Sequence, residues 1–347
     1  MTVFSGVEVG DLEQVLARSS SALEALRGAR IFVTGGTGFF GRWLLGSLAR
    51  ASRRYDLHAV VLTRDAQAFM RAAPGLANDP AIKLVEGDVR TFEAPGGRFT
   101  HVIHAATDTS ATADRDSLTL ADTIVRGSVR VLKFARTSGV RRMLYVSSGA
   151  VYGPQPPTLE WMPESFEGAP RVLDGGSVYG QAKRLAEQLC LAQASADFAP
   201  VIARGFAFVG PGLPLDGHFA IGNFIADAVA GRPILIRGNG ETVRSYLYAG
   251  DLAAWLLTLL AHAPAGSVYN VGSDQAYALR EVATCVSAHA PGRPPVCILG
   301  QTGDGARQRY VPAISKARGL GLDVWTSLDE AIRVTIMHAL RTGRASR

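Results

Sequence analysis

Thr34-Gly35-Gly36-Thr37-Gly38-Phe39-Phe40-Gly41 follows an apolar run, Ile31-Phe32-Val33, and leads into a stretch, 43–51, whose apolar residues recur at helical spacing. Glycines at 35, 38 and 41 let the backbone come close to a pyrophosphate, and the N-terminus of the following helix presents oriented N–H donors to it. A glycine-rich turn by itself serves tight packing equally well. The strand before it and the helix behind it make this one a phosphate cradle, with Phe39 and Phe40 as part of it. Reading outward, apolar strands are expected at 31–34, 58–63, 82–86, 101–105, 143–147 and 201–206, with helices at 43–51, 118–137 and 178–194. Parallel strands need crossover connections, so this alternation gives an α/β fold, a Rossmann-type doubly wound parallel sheet with helices on both faces.

Beyond Gly210 the rhythm breaks into loops rich in Pro and Gly, with shorter helices at 221–230, 252–261 and 328–340. That half reads as a smaller C-terminal substrate-binding lobe. Ahead of the first strand, Leu12, Val15, Leu16, Leu23 and Leu26 predict an amphipathic helix over 11–26. The expected organisation is a helical extension over 1–28, a dinucleotide-binding domain over 29–210 and the lobe over 211–347.

The 347 residues are 47% hydrophobic and 19% charged, which implies a substantial core. The longest apolar stretch, 252–263, is too short to cross a bilayer, and the N-terminus carries Glu8, Asp11 and Glu13 where a leader would be basic and then apolar. A cytoplasmic protein with no membrane partner is expected. Cys190, Cys285 and Cys297 form no CxxC pair, so neither a disulfide framework nor a metal site is expected. The net charge is +6, but the basic residues are scattered and no basic run interleaves with aromatics. Nucleic acid is therefore not expected as a partner, and an anionic small substrate is.

Tyr179 and Lys183 stand four apart at the start of an amphipathic stretch and so share a helix face. A free tyrosine, with a pKa of about 10, is a poor base at neutral pH, and lowering it by about 3 units takes about 4 kcal/mol of differential stabilisation. A nearby ammonium and an oxidised nicotinamide together supply such a field. Ser148, in Ser147-Ser148-Gly149-Ala150-Val151-Tyr152-Gly153, lies at the C-terminal end of a strand, where open α/β sheets place their ligands. Its hydroxyl can polarise a carbonyl or an alcohol. Any one of the three suits an exposed pair or a cap, but the three in order behind a dinucleotide loop form a hydride-transfer site.

The second strand ends in Thr63-Arg64-Asp65, where a carboxylate accepts from the ribose hydroxyls and an arginine pairs with a 2′-phosphate. Arg64 tilts the NAD(P) reading from NAD towards NADP, although an arginine here can also stack on adenine or face solvent. Asp88, in Gly87-Asp88-Val89, ends the third strand, where it either meets the adenine amino group or caps the next turn. Ala105 and Ala106 leave room along the cofactor.

Together these motifs, over about residues 30–340, resemble the extended short-chain dehydrogenase/reductases, specifically the NAD-dependent epimerase/dehydratase family of nucleotide-sugar enzymes. The family's glycine motif falls on Gly35, Gly38 and Gly41, its catalytic Ser/Thr on Ser148, and its YxxxK on Tyr179 and Lys183. The resemblance implies a nucleotide-diphosphate sugar as substrate, with Asn223 in contact and Arg244 on the diphosphate. It also implies a second diphosphate arginine at Arg309, or at Arg307, and a homodimer built on helices 118–137 and 178–194. Arginines at such places otherwise make ordinary surface salt bridges.

Two departures bear on the reaction. The family's 4,6-dehydratases and sugar-acid decarboxylases carry acidic residues just after the catalytic Ser/Thr, where this chain has Gly149 and Ala150; and Ala207 stands where many relatives have Asn. The expected activity is hydride transfer at C4, by a 4-epimerase or a 4-keto-sugar reductase. A 4,6-dehydratase or decarboxylase is the alternative within the family, and a non-catalytic dinucleotide sensor the alternative outside enzymes.

Overall fold

A computed structural model describes residues 3–4, 7–107, 116–215, 217, 219–300 and 308–343. Ile31, Phe32 and Val33 are all fully buried, as expected of a strand covered on both faces. This strand, β1 (Arg30–Thr34), lies inside a seven-stranded parallel sheet with β2 (His58–Thr63), β3 (Ile82–Glu86), β4 (His101–His104), β5 (Arg142–Ser148), β6 (Ala199–Gly205) and β7 (Val268–Val271). The spatial order is β3-β2-β1-β4-β5-β6-β7. It reverses between β1 and β4, and the crevice outside the carboxyl ends of these strands is where such sheets bind ligands.

Alternate residues of each strand feed different cores. Ile31, Val33, Ile103 and Leu144 pack with α3 (Phe39–Tyr55), through Trp43, Leu44 and Leu48. Phe32, Val102, Met143 and Tyr145 pack with α4 (Ser117–Thr137) and α5 (Val178–Leu191) on the opposite face. β7 was not visible in the alternation; it comes from the stretch after residue 210, which thus supplies a sheet strand as well as the lobe. The lobe contains α6 (Ala220–Val229), α8 (Leu279–His289), α9 (Leu328–Thr342) and short strand pairings, while α7 (Ala249–His262) lies between the lobe and the sheet's α3 face. Among the described residues no helix is long and apolar enough to cross a membrane.

The expected helix over 11–26 is two helices, α1 (Val9–Arg18) and α2 (Ser20–Ala25). The break falls at Ser19, whose hydroxyl bonds back to the Val15 carbonyl at 2.7 Å, a local bond that competes with helix propagation. Both pieces bury their apolar faces, Leu12, Val15, Leu23 and Leu26, in the core that contains α7. Arg18 is ion-paired with Asp251, a fully buried residue of α7 that also accepts from the backbone N–H groups of Trp325 and Thr326. The extension is thereby part of the core.

Two histidines of β4 are buried. His104 bridges Thr34 and Ser128 through its ring nitrogens, at 2.7 and 3.1 Å. Burial pushes His104 down to about 3, and burial together with Arg142 and Arg141 pushes His101 down to about 4. Both are neutral in the fold and gain protons on unfolding below about pH 6.5. Stability is therefore expected to fall as pH drops from about 6.5 towards these lower values. The urea midpoint should decline through that window, and a His101→Gln, His104→Gln variant should show a flatter dependence; identical slopes would contradict this. Leu23→Ala should cost roughly 2–5 kcal/mol of global stability, whereas an appended, non-core extension would leave the unfolding transition unmoved.

Candidate active site

The turn between β1 and α3 is possible only without side chains. Gly35 has φ +76°, and a Cβ on it would stand 2.5 Å from the Ala105 carbonyl at the end of β4. A Cβ on Gly41 would stand 2.3 Å from the backbone of Gly36, so the first turn of α3 rests directly on the loop. Gly38 is the N-cap of α3 and supplies no side-chain cap, leaving the orphan N–H groups of the first turn to an external acceptor. These residues fit a dinucleotide pyrophosphate. Phe40 packs edge-on against Phe208 at 4.8 Å, and Phe39 is half-buried beside it. Thr34 Oγ1 accepts from the Ala106 N–H at 3.2 Å, fixing the small-residue end of β4 against β1.

Arg64 is exposed at the end of β2, and its charge is felt at Asp88. The neighbouring Asp65 carboxylate is engaged: it caps the helix Ala66–Ala72 by accepting from the Ala68 N–H at 2.7 Å. Asp88 is held by the Arg90 side chain at 2.7 and 2.9 Å and by the Arg90 N–H at 2.8 Å, and those bonds push its carboxyl down to about 2. It thus caps the turn after β3. Val89 is buried, packed against Gly127 of α4.

Ser148 is the last residue of β5 and accepts from the Ala150 N–H at 3.1 Å. Tyr179 and Lys183 lie on the first turns of α5. The Lys183 amine is buried, donates to the Val146 carbonyl at 2.9 Å and lies 6.0 Å from the Tyr179 ring centroid. Burial pushes it down to about 7, against the opposing charge of Glu187 one turn on. Glu187 is itself buried; it accepts from Ser147 at 2.5 Å and is forked by Arg204 of β6 at 2.7 and 3.1 Å. Arg204 lies 4.6 Å from the Tyr152 ring, and Tyr152 donates to Asn270 of β7 at 2.7 Å. A buried polar chain thus ties β5, α5, β6 and β7 together behind the site. Sequence reading missed it, although Glu187, four residues after Lys183, was the accessible signal.

Arg244 is brought towards Ser148 by an unexpected intermediary. The strand Val243–Arg244 runs parallel to Arg309–Tyr310, with Arg244 beside Tyr310. The Arg244 guanidinium is 5.9 Å from the Tyr310 ring, and that ring packs on Phe206 at 4.5 Å. Burial pushes the Tyr310 phenol well above its usual range, with the nearby Ser148 side chain acting in the opposite sense. A Cβ on Gly149 would stand 2.6 Å from the Tyr310 hydroxyl and 2.9 Å from Phe206, leaving no room for an acidic side chain there. Arg309 pairs instead with Val243 and donates to the Glu160 carbonyl at 3.1 and 3.3 Å, away from this group. Asn223 is exposed on α6, with no side-chain hydrogen bond among the described residues. Arg307 lies outside the described residues.

The arrangement therefore unites a phosphate cradle, a serine at a strand end, a tyrosine with a buried lysine, and an arginine reaching in from the lobe. Similar proteins have corresponding names. The chain is 28% identical over 291 residues to UDP-glucuronic acid decarboxylase 6 of Arabidopsis thaliana, covering 83% of this chain and 82% of that one. It is 26% identical over 311 residues to UDP-glucuronic acid decarboxylase 1 of Xenopus tropicalis, covering 88% and 71%. In structure it is similar to epimerase Mth375 of Methanothermobacter thermautotrophicus, with a TM-score of 0.79 at 23% identity over 95% of this chain and 97% of that one. It is also similar to the UDP-glucose 4-epimerase of Thermotoga maritima, solved with UDP-glucose, with a TM-score of 0.74 at 21% identity over 90% and 99%. A family model matches residues 31–272, a span that holds the glycine loop, Ser148, Tyr179 and Lys183, and the chain belongs to the NAD dependent epimerase/dehydratase family.

Proposed function

We propose that this protein transfers hydride at C4 of a nucleotide-diphosphate sugar, as a 4-epimerase or, with exchangeable NADPH, as a 4-keto-sugar reductase. The observation that supports the reading is the buried Lys183 amine, bonded to the Val146 carbonyl two residues before Ser148 at the end of β5 and 6.0 Å from the Tyr179 ring, within the family's match. The UDP-sugar names of the similar proteins support the substrate class.

When bound, the dinucleotide supplies the hydride acceptor or donor at its nicotinamide ring. In the oxidative direction Tyr179, favoured as phenolate by the neighbouring Lys183, would take the proton of the C4 hydroxyl. Ser148 hydrogen-bonds the same oxygen and steadies the resulting ketone. Once the opposite face of the ketone is presented, return of that proton from Tyr179 to the C4 oxygen would give the 4-epimer. Arg244 holds the substrate diphosphate by charge-assisted bonds and so sets the sugar against the site. Elimination across C5 and C6 needs a further acid or base near Ser148, and Gly149 and Ala150 supply none.

A second reading rests on the decarboxylase names. Oxidation at C4 of a sugar with a C6 carboxylate makes a β-keto acid, which loses carbon dioxide with little further assistance, so the same residues would serve. For the cofactor, the engagement of Asp65 in a helix cap leaves Arg64 as the residue at the ribose end of β2, which supports NADP over NAD. Pairing of two copies through α4 and α5 is supported by Leu118 and Leu185, which are 83% and 45% exposed on those helices.

Tyr179→Phe keeps the ring and removes the proton-transfer group, so turnover should fall at least about a hundredfold; unchanged turnover would overturn the assignment. Products formed from UDP-glucose and UDP-glucuronate should keep their carbon number, as 4-epimers or, for a reductase run in reverse, as 4-keto sugars, whereas carbon dioxide and a UDP-pentose would select the second reading. Arg64→Ala should weaken NADPH binding about tenfold or more and leave NADH nearly unaffected, and an equal effect on both would remove the NADP preference. Light scattering should give twice the chain mass; a monomer would contradict the pairing.

A further inference from the structure

We propose that Cys285, His289 and Asp329 form a divalent-cation site, suited to zinc, that clamps α8 to α9 on the lobe. Cys285 and His289 are four residues apart near the end of α8 and so project from one helix face. Asp329 sits in the first turn of α9, which packs against α8. The three ligand atoms lie within 4.8 Å of one another. His289 Nε2 is 2.8 Å from Asp329 Oδ1, and Cys285 Sγ donates to that same oxygen at 3.5 Å. A single carboxylate oxygen thus faces both a thiol and an imidazole nitrogen, close enough that small side-chain shifts would seat all three around one ion.

The donor set decides the class of ion. Sulfur, nitrogen and oxygen together suit zinc and its borderline neighbours, whereas calcium and magnesium select all-oxygen cages. Zinc binding releases the Cys285 thiol proton to solvent and moves the imidazole proton to Nδ1, so that thiolate sulfur, Nε2 and carboxylate oxygen each donate one lone pair. A water completes the tetrahedron. The ordinary alternative is a surface His289–Asp329 ion pair with a bystander cysteine, and metal titration separates the two. The cluster escapes a search for CxxC pairs because one ligand is forty residues away in sequence. It is independent of the proposed reaction. Its structural effect bears on α8, which follows directly on the strand Tyr277–Ala278, the antiparallel partner of the Arg244 strand.

The test uses the tag-free full chain, stripped with a chelator and titrated with zinc chloride by calorimetry and with cobalt chloride by absorption spectroscopy. One ion per chain is expected, with a thiolate-to-cobalt charge-transfer band and a zinc-dependent rise in melting temperature. Cys285→Ser, His289→Ala and Asp329→Ala should each weaken zinc binding at least about tenfold and abolish the rise. Because these side chains are at least partly exposed, each variant is expected to fold; its circular dichroism checks this, and Cys285→Ala stands in should the serine variant misfold. Absence of zinc binding to the chain, or wild-type affinity in any folded variant, would overturn the site.

Discussion

The bond from the buried Lys183 amine to the Val146 carbonyl is the interaction on which the geometry of the site depends. An amine in the core is tolerated only when its polar demands are met, and here the sheet backbone and the charge of Glu187 meet them. Glu187 is in turn compensated by Arg204 and Ser147. These contacts pin α5 across β5 and β6. Tyr179, one turn before Lys183, then comes to the carboxyl end of the sheet alongside Ser148 with little freedom to drift. Preorganisation of this kind is what a positioned proton acceptor requires.

A second constraint acts on the opposite side of the switch point. The close approaches at Gly35 and Gly41 bring the uncapped start of α3 against the ends of β1 and β4, on the carboxyl side of the sheet where Ser148 ends β5. The lobe reaches the crevice through the strand pair Val243–Arg244 and Arg309–Tyr310. The N-terminal helices, through Arg18 and Asp251, brace α7 beneath both.

How much of this was legible follows from how local each signal is. The strands from β1 to β6 each carry a short apolar run, broken in β3 by Lys83; Gly35, Gly38 and Gly41 follow a fixed three-residue spacing, and Tyr179 and Lys183 stand four apart, one helix turn. β7 is four residues, Val-Tyr-Asn-Val, whose Asn270 interrupts the apolar run because it bonds Tyr152 and backbone carbonyls. Tyr310 and Arg309 show the limit most clearly. In a two-residue strand a shift of one position exchanges the faces, and only the pairing with a strand sixty-six residues earlier puts Tyr310 beside Arg244 and turns Arg309 towards Glu160. The break between α1 and α2 was hidden because one serine side-chain bond creates it.

Hydride transfer at C4 is read out by isotope transfer. A nucleotide sugar deuterated at C4 would be mixed with the cofactor-loaded protein, and the nicotinamide and the sugar analysed by mass spectrometry during turnover. Deuterium is expected on the nicotinamide ring while the sugar is held as its 4-ketone. Turnover in which the label never leaves C4 would contradict hydride transfer at that carbon.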